Sequence, residues 1–146
     1  MRVLLQRVSC CRVLVDDQEL SAIRNGLLLF LGVRSDDTAQ AIPPLAEKIV
    51  HLRVFEDEAQ KMNRSVLDVG GAIMVVSQFT LYGGTRKGRR PEFTQAMPSA
   101  EAEKLYEQFV EAIRNFGVIV ETGTFGAKMD VSFTNHGPVT LLLEHP

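Results

Sequence analysis

Hydrophobic and polar positions follow two different periods along the chain, and the changes between them mark its elements. Val3-Leu4-Leu5-Gln6-Arg7-Val8 and Arg12-Val13-Leu14-Val15 are short runs rich in strand-forming residues, followed by Asp16-Asp17, a pair suited to a turn. They predict a hairpin or two consecutive strands. Gly26 to Val33 is a continuous apolar run bounded by glycine, the pattern of a central strand buried on both faces. Arg53-Val54-Phe55 predicts a short strand, and Ala72 to Leu81 a long one that turns polar near its end.

Two stretches change to helical spacing. A helix is expected after Asp36-Asp37-Thr38, with its regular part starting at Pro43-Pro44, because proline is tolerated in a first turn and breaks hydrogen bonds further in. Leu45, Ile49 and Leu52 make its apolar stripe. Ser99 is placed to cap a second helix whose first turn carries Glu101 and Glu103, near the positive end of the helix dipole. Its apolar face runs through Ala102, Leu105, Tyr106, Phe109, Ile113 and Phe116.

Val118-Ile119-Val120 predicts a further strand after Gly117. Met129, Val131 and Phe133 alternate with polar residues, and Asn135-His136-Gly137-Pro138 reads as a turn before Val139 to Leu143, so a closing hairpin is expected. No repeat, linker or low-complexity segment interrupts the order. The expectation is one mixed α/β domain over residues 1–146, with a largely antiparallel, barrel-like sheet and two main helices.

Composition agrees with a domain that carries its own core: 45% of the 146 residues are hydrophobic and 23% charged, which are globular values. Charge interrupts Met1-Arg2-Val3-Leu4-Leu5-Gln6-Arg7 too early for a signal peptide or a spanning helix, so a cytoplasmic protein without a membrane partner is expected. Cys10 and Cys11 are neighbours whose side chains point to opposite faces of a strand, a poor disulfide pair, and read as structural thiols. A net charge of −2 argues against a protein that coats nucleic acid. Yet Arg86, Lys87, Arg89 and Arg90 crowd into one short segment, which is either a solvated loop or a local phosphate contact.

Candidate chemistry narrows quickly. His51, His136 and His145 have no metal-type spacing with Cys, Asp or Glu, so no metal is expected. Neither Gly70-Gly71 nor Gly83-Gly84 matches a nucleotide fingerprint, and no cofactor is expected. A triad of Ser77, His136 and Asp130 can be drawn on residue identity alone, without a Gly-x-Ser-x-Gly elbow to support it. More informative is Ser77-Gln78-Phe79-Thr80-Leu81, where an apolar strand ends in three hydrogen-bonding side chains around a bulky ring. Taken alone it is either a half-buried strand end or a site; Gly137-Pro138 taken alone is a tight turn.

Together, Ser77-Gln78-Phe79-Thr80-Leu81 and Asn135-His136-Gly137-Pro138-Val139-Thr140 resemble the paired signature motifs of D-aminoacyl-tRNA deacylases. The likeness covers essentially the whole chain, through Leu5-Gln6-Arg7-Val8, Gly26-Leu27-Leu28, Lys61-Met62-Asn63, Lys87-Gly88-Arg89-Arg90-Pro91 and Phe125-Gly126-Ala127-Lys128-Met129. The resemblance implies hydrolysis of the ester between a D-amino acid, or glycine, and the terminal ribose of tRNA. It implies a homodimer in which a cis Gly137-Pro138 of one subunit enters the other's site beside Ser77 to Thr80. There its two carbonyls would grip the substrate's amino group and Cα, leaving no room for an L side chain, with Arg7 holding the dipeptide.

By the same resemblance, backbone N–H groups near Phe79 and Thr80 face the ester oxygen, Gln78 orients the substrate, and Ser77 holds the strand or the ribose. Phe125 and Met129 line the pocket for the terminal adenosine, Arg86, Lys87, Arg89 and Arg90 contact the tRNA end, and the RNA 2′-hydroxyl helps activate water. Thr80 as nucleophile is the minor alternative, since a lone hydroxyl without a base is weak. The chain departs from the family pattern at His136 and Gly84, where acidic residues are usual, and at Pro43-Pro44. The competing readings are a non-catalytic RNA-binding module using the basic loop, and a serine esterase centred on Ser77.

Overall fold

In a computed structural model that describes residues 1–145, a single sheet of six strands carries both helices on one face. β1 is one strand of 14 residues, Arg2–Val15, where two strands or a hairpin are expected. It stays continuous because it has partners along its whole length. On one edge its first half pairs with β3 (Gly26–Gly32) and its second half with β2 (Gln18–Ile23), both antiparallel. Asp16 and Asp17 take positive φ values of 50° and 62°, forming the two-residue turn from β1 to β2.

β8 (Asp130–Glu144) runs antiparallel along the other edge of β1, again as one strand where a hairpin is expected. The turn residues are present, but they make a bulge. Gln6 pairs with Thr140 and Val8 with Asn135, so β8 accommodates His136, Gly137, Pro138 and Val139 opposite the single residue Arg7. A second irregularity follows at once, Val8 pairing with Asn135 and Cys10 with Thr134, and from there the pairing runs unbroken to Leu14 and Asp130.

β6 (Ala72–Ser77) lies parallel to β3, and β7 (Ile119–Thr122) parallel to β6, one residue later than the expected Val118 start. The crossovers are α1 (Ile42–His51) and α2 (Ser99–Arg114), which pack on each other. Pro43 and Pro44 fall in the first turn of α1, as expected. Ser99 is the first residue of α2 rather than its cap; Pro98 occupies the cap position, with no side-chain capping bond. The expected strand at Arg53 shrinks to β4 (Phe55–Glu56), which pairs with β5 (Met62–Arg64) outside the main sheet.

β3 is central, with Leu27, Leu28 and Leu29 each 0% exposed. Leu27, Leu29 and Leu31 face the helices, packing with Ile49, Phe109 and Ile113, whereas Leu28 faces a second cluster with Val8, Val13 and Met74. Burying one such leucine is worth about 1.5–3 kcal/mol, so this strand contributes heavily to the core. Ser21 within β2 donates from Oγ to the Thr122 carbonyl of β7 at 2.7 Å, linking the two outermost strands of the sheet path. The sheet is therefore nearly closed, as the expected barrel-like α/β fold requires.

Cys10 and Cys11 are both free thiols, the first exposed and the second buried. Burial, helped by the neighbouring Cys10, pushes the Cys11 thiol up to about 11. Among the described residues no helix is long and apolar enough to cross a membrane.

Candidate active site

The expected long strand ends early. β6 stops at Ser77, and Phe79–Tyr82 forms a 3₁₀ turn that folds across the end of β3. The Gln78 N–H donates to the Leu31 carbonyl at 2.8 Å, which anchors the turn to β3. Gly32 makes the crossing feasible: a Cβ there would lie 3.1 Å from the Gln78 carbonyl oxygen and 3.2 Å from the Tyr82 ring. Arg2 secures the far side, donating from Nη1 to the Leu81 carbonyl at 2.5 Å with its guanidinium 4.7 Å from the centre of the Tyr82 ring.

This turn forms one wall of a cavity of about 480 Å³. Ser77, Gln78, Phe79, Phe125 and Met129 all line it, so five of the residues singled out in the sequence come together here. Phe125 follows β7 and packs on Tyr106 of α2 with ring centres 5.6 Å apart. Tyr106 is itself pinned, donating to the Val75 carbonyl at 2.9 Å, and burial pushes its hydroxyl up to about 12. Leu31, Val33, Met97, Ser99, Ala127 and Val131 complete much of the lining, and none of them is marked as a site residue by the sequence.

None of the lining side chains is titratable. Polar character comes instead from Ser77, Gln78, Ser99 and the backbone. The N–H groups of Phe79 and Thr80 open the 3₁₀ turn and donate to no backbone carbonyl among the described residues; Phe79 lines the cavity, whereas Thr80 does not. Thr80 sits on the exposed side of the turn, and its Oγ1 accepts a hydrogen bond from Gln78 Nε2. The drawn triad does not form. Asp130 and His136 lie six positions apart on β8, about 20 Å at the usual strand rise.

Arg7, Gly137 and Pro138 form a separate cluster on the same chain. Arg7 is only 4% exposed, and its guanidinium donates from Nε to the His136 carbonyl at 3.0 Å and from Nη1 to the Val54 carbonyl at 2.7 Å. Glu56 lies 3.7 Å from its Nη2. Gly137, at φ +127°, rests flush on this group, since a Cβ there would be 2.9 Å from Arg7 Nη2. The Gly137-Pro138 bond is cis. Asn135 closes the bulge, accepting the Val139 N–H at 3.2 Å and donating to Thr140 Oγ1 at 2.8 Å.

Both members of the dipeptide are exposed, and neither lines the cavity. Arg7 pairs with Leu27, whereas the cavity wall begins at Leu31, four residues or about 13 Å further along β3. Arg86, Lys87, Arg89 and Arg90 are likewise away from the lining. They occupy the exposed tip of a loop closed by the antiparallel bridge Gly84–Glu92. No group of three or more His, Cys, Asp or Glu residues arranged to hold a metal occurs among the described residues.

Comparison with known proteins places this arrangement in a family. A profile described as D-Tyr-tRNA(Tyr) deacylase matches residues 4–144. A D-aminoacyl-tRNA deacylase of Thermomicrobium roseum is 58% identical over 144 residues, covering 99% of this chain and 94% of that protein. One from Thermus aquaticus is 56% identical, covering 99% and 95%. A solved structure named c-Myc DNA Unwinding Element Binding Protein superposes with a TM-score of 0.94 at 41% identity, covering 100% of this chain and 99% of the other. A probable eukaryotic D-amino acid tRNA deacylase, 22% identical with a TM-score of 0.83 over 97% of each chain, shares the fold. With a match along nearly its whole length and both motifs in place, the chain belongs to the D-Tyr-tRNA(Tyr) deacylase family.

Proposed function

We propose that the protein hydrolyses the ester of D-aminoacyl-tRNA, and of glycyl-tRNA, and rejects L-aminoacyl-tRNA. The observation that carries this reading is a cavity walled by a turn whose first two N–H groups have no backbone acceptor, and lined by no titratable side chain. Such a site lacks an activated nucleophile and a general base, so it suits a substrate that is already reactive and brings its own catalytic hydroxyl. An aminoacyl ester on a ribose meets both conditions. Phe125 and Met129 then hold the terminal adenosine, the Phe79 and Thr80 N–H groups take the developing oxyanion, and Gln78 and Ser77 orient substrate. Arg86, Lys87, Arg89 and Arg90 contact the acceptor end. No cofactor or metal enters this scheme, and the substrate class sets its place as the cytoplasm. Hydrolysis of matched D- and L-aminoacyl-tRNA by the purified protein is the direct test; D substrates should be cleaved at least about 100-fold faster, a difference of some 2.7 kcal/mol. Comparable rates would defeat the reading.

The active unit is a homodimer in which Gly137-Pro138 of one subunit projects into the cavity of the other. Within one chain the dipeptide is exposed and stands away from the cavity. β8, which carries it, has no strand partner on its outer edge among the described residues, and Leu141 and Leu142 on it are 40% and 55% exposed. Steric rejection by a fixed backbone works against every L side chain at once and admits glycine. Sedimentation during assay should therefore show activity only in the dimer, and a fully active monomer would refute the shared site.

A further inference from the structure

Just outside the cavity two exposed aromatic rings meet. Phe79, 55% exposed, lines the mouth, and Phe93, 38% exposed, packs against it with ring centres 5.0 Å apart and planes inclined by 67°. Phe93 does not line the cavity. It follows the loop that carries the four cations, at the foot of the bridge where the Gly84 N–H donates to the Glu92 carbonyl at 2.8 Å and the Glu92 N–H returns to the Gly84 carbonyl at 3.0 Å.

The loop is shaped to keep the Phe93 ring in this place. A Cβ on Gly83 would come 3.0 Å from Phe93 Cε1, and one on Gly84 would come 2.7 Å from Glu92 Oε1. The Gly83 N–H also donates to the Thr80 carbonyl at 2.9 Å, so the foot of the loop is tied to the same 3₁₀ turn that forms the cavity wall. Two adjoining exposed rings make an apolar patch of the kind that marks an interaction site.

Exposed aromatic rings next to a cluster of Arg and Lys are how proteins hold single-stranded nucleic acid: rings stack on the bases and cations follow the backbone. We infer that Phe79 and Phe93 form a stacking platform for the unpaired base that precedes the terminal nucleoside of the substrate RNA. The inference rests on the proposed function, in which that terminal nucleoside occupies the cavity. A strand leaving the cavity mouth passes over Phe79 and Phe93 before its phosphates reach Arg86 and Arg90. Stacking tolerates any base, so the platform adds affinity without selecting sequence.

The test compares wild type, Phe93→Ala and Phe93→Tyr on two substrates: a full D-aminoacyl-tRNA, and a D-aminoacyl ester of adenosine alone, which has no preceding base. Alanine replacement of a stacking ring typically weakens binding by about 5- to 100-fold. Phe93→Ala should raise KM on the tRNA by about tenfold with little change in kcat, leave the adenosine ester unaffected, and be restored by Phe93→Tyr. Equal loss on both substrates would make Phe93 a mere support for the turn and overturn the platform, as would no loss on the tRNA. Fluorescence anisotropy of a labelled single-stranded RNA tetranucleotide provides a readout without turnover. If wild type cleaves neither substrate, the hydrolase reading fails, while weaker RNA binding by Phe93→Ala still upholds the platform and unchanged binding removes it.

Discussion

Arg7→Ala should fold less stably by about 3 kcal/mol and cleave D-aminoacyl-tRNA about 100-fold more slowly, with its rejection of L substrates weakened. The stability loss follows from the two carbonyls that Arg7 satisfies, those of Val54 and His136, at 2.7 and 3.0 Å. A hydrogen bond from a charged donor is worth about 1.5–3 kcal/mol, and stranding a buried acceptor costs about 1–3 kcal/mol. The bond to the Val54 carbonyl is buried and that to the His136 carbonyl partly so; the combined figure is therefore set near the lower end. Glu56 contributes little by comparison, because it lies 3.7 Å away with its side chain 52% exposed, where ion pairs are worth about 0–1 kcal/mol.

The catalytic loss follows from geometry rather than stability. Without the guanidinium, nothing holds the His136 carbonyl, and the bulge can shift by an ångström or more; misplacement on that scale reduces rates by about 100-fold. Arg7→Lys should not rescue it, since an ammonium cannot reach two carbonyls in the fixed fork that Nε and Nη1 provide. Urea unfolding and single-turnover hydrolysis of D- and L-aminoacyl-tRNA would check both parts, with Glu56→Gln as the near-neutral control. A variant of normal stability that still rejects L substrates would show that Arg7 does not position the dipeptide.

Elements set by local chemistry were legible in the sequence. The run Gly26 to Val33 gave a central strand because its leucines leave no polar face, and Pro43-Pro44 located a helix start because proline is acceptable there and hardly elsewhere. Local rules failed where a distant partner decided. Asn135 to Pro138 are turn residues, but continuous pairing with β1 on both sides makes them a bulge. Ser77 to Leu81 read as strand because no local feature announces the crossing over Gly32. Ser99 resembled a cap, yet the extended Pro98 before it takes that position.

The site divides in the same way. Ser77, Gln78, Phe79, Phe125 and Met129 were singled out through motif likeness, which carries spatial information that spacing does not. Met97, Val131 and the Val54 carbonyl had no such signal: the loop holding Met97 is tied to the end of β3 by its N–H to the Val33 carbonyl at 3.0 Å, Val131 is placed by the pairing of β8 with β1, and Val54 meets Arg7 across 47 residues of chain. Phe93 carries no signal in the sequence, because an isolated phenylalanine in a polar loop does not stand out without its contact with Phe79.

Replacing the terminal ribose by its 2′-deoxy form should slow hydrolysis by about 100-fold or more, whereas Thr80→Ala should stay within about tenfold of wild type. The Thr80 hydroxyl accepts a hydrogen bond from Gln78 Nε2, an amide that cannot take its proton, and the adjoining cavity has no Asp, Glu, His or Lys to do so. An unactivated hydroxyl is a weak nucleophile, so its loss removes at most an orienting contact. A ribose hydroxyl next to the ester is held within reach of the attacking water by the substrate itself, and positioned proton transfer typically contributes about 100- to 10,000-fold. His136 is the one titratable side chain on the bulge that the dimer would bring nearby, which makes His136→Ala the companion control. Pre-steady-state rates on ribo and deoxy substrates separate these contributions. Abolished turnover in a well-folded Thr80→Ala, with the deoxy substrate cleaved normally, would reassign the chemistry to the protein's hydroxyl; loss in His136→Ala alone would assign the proton transfer to the imidazole.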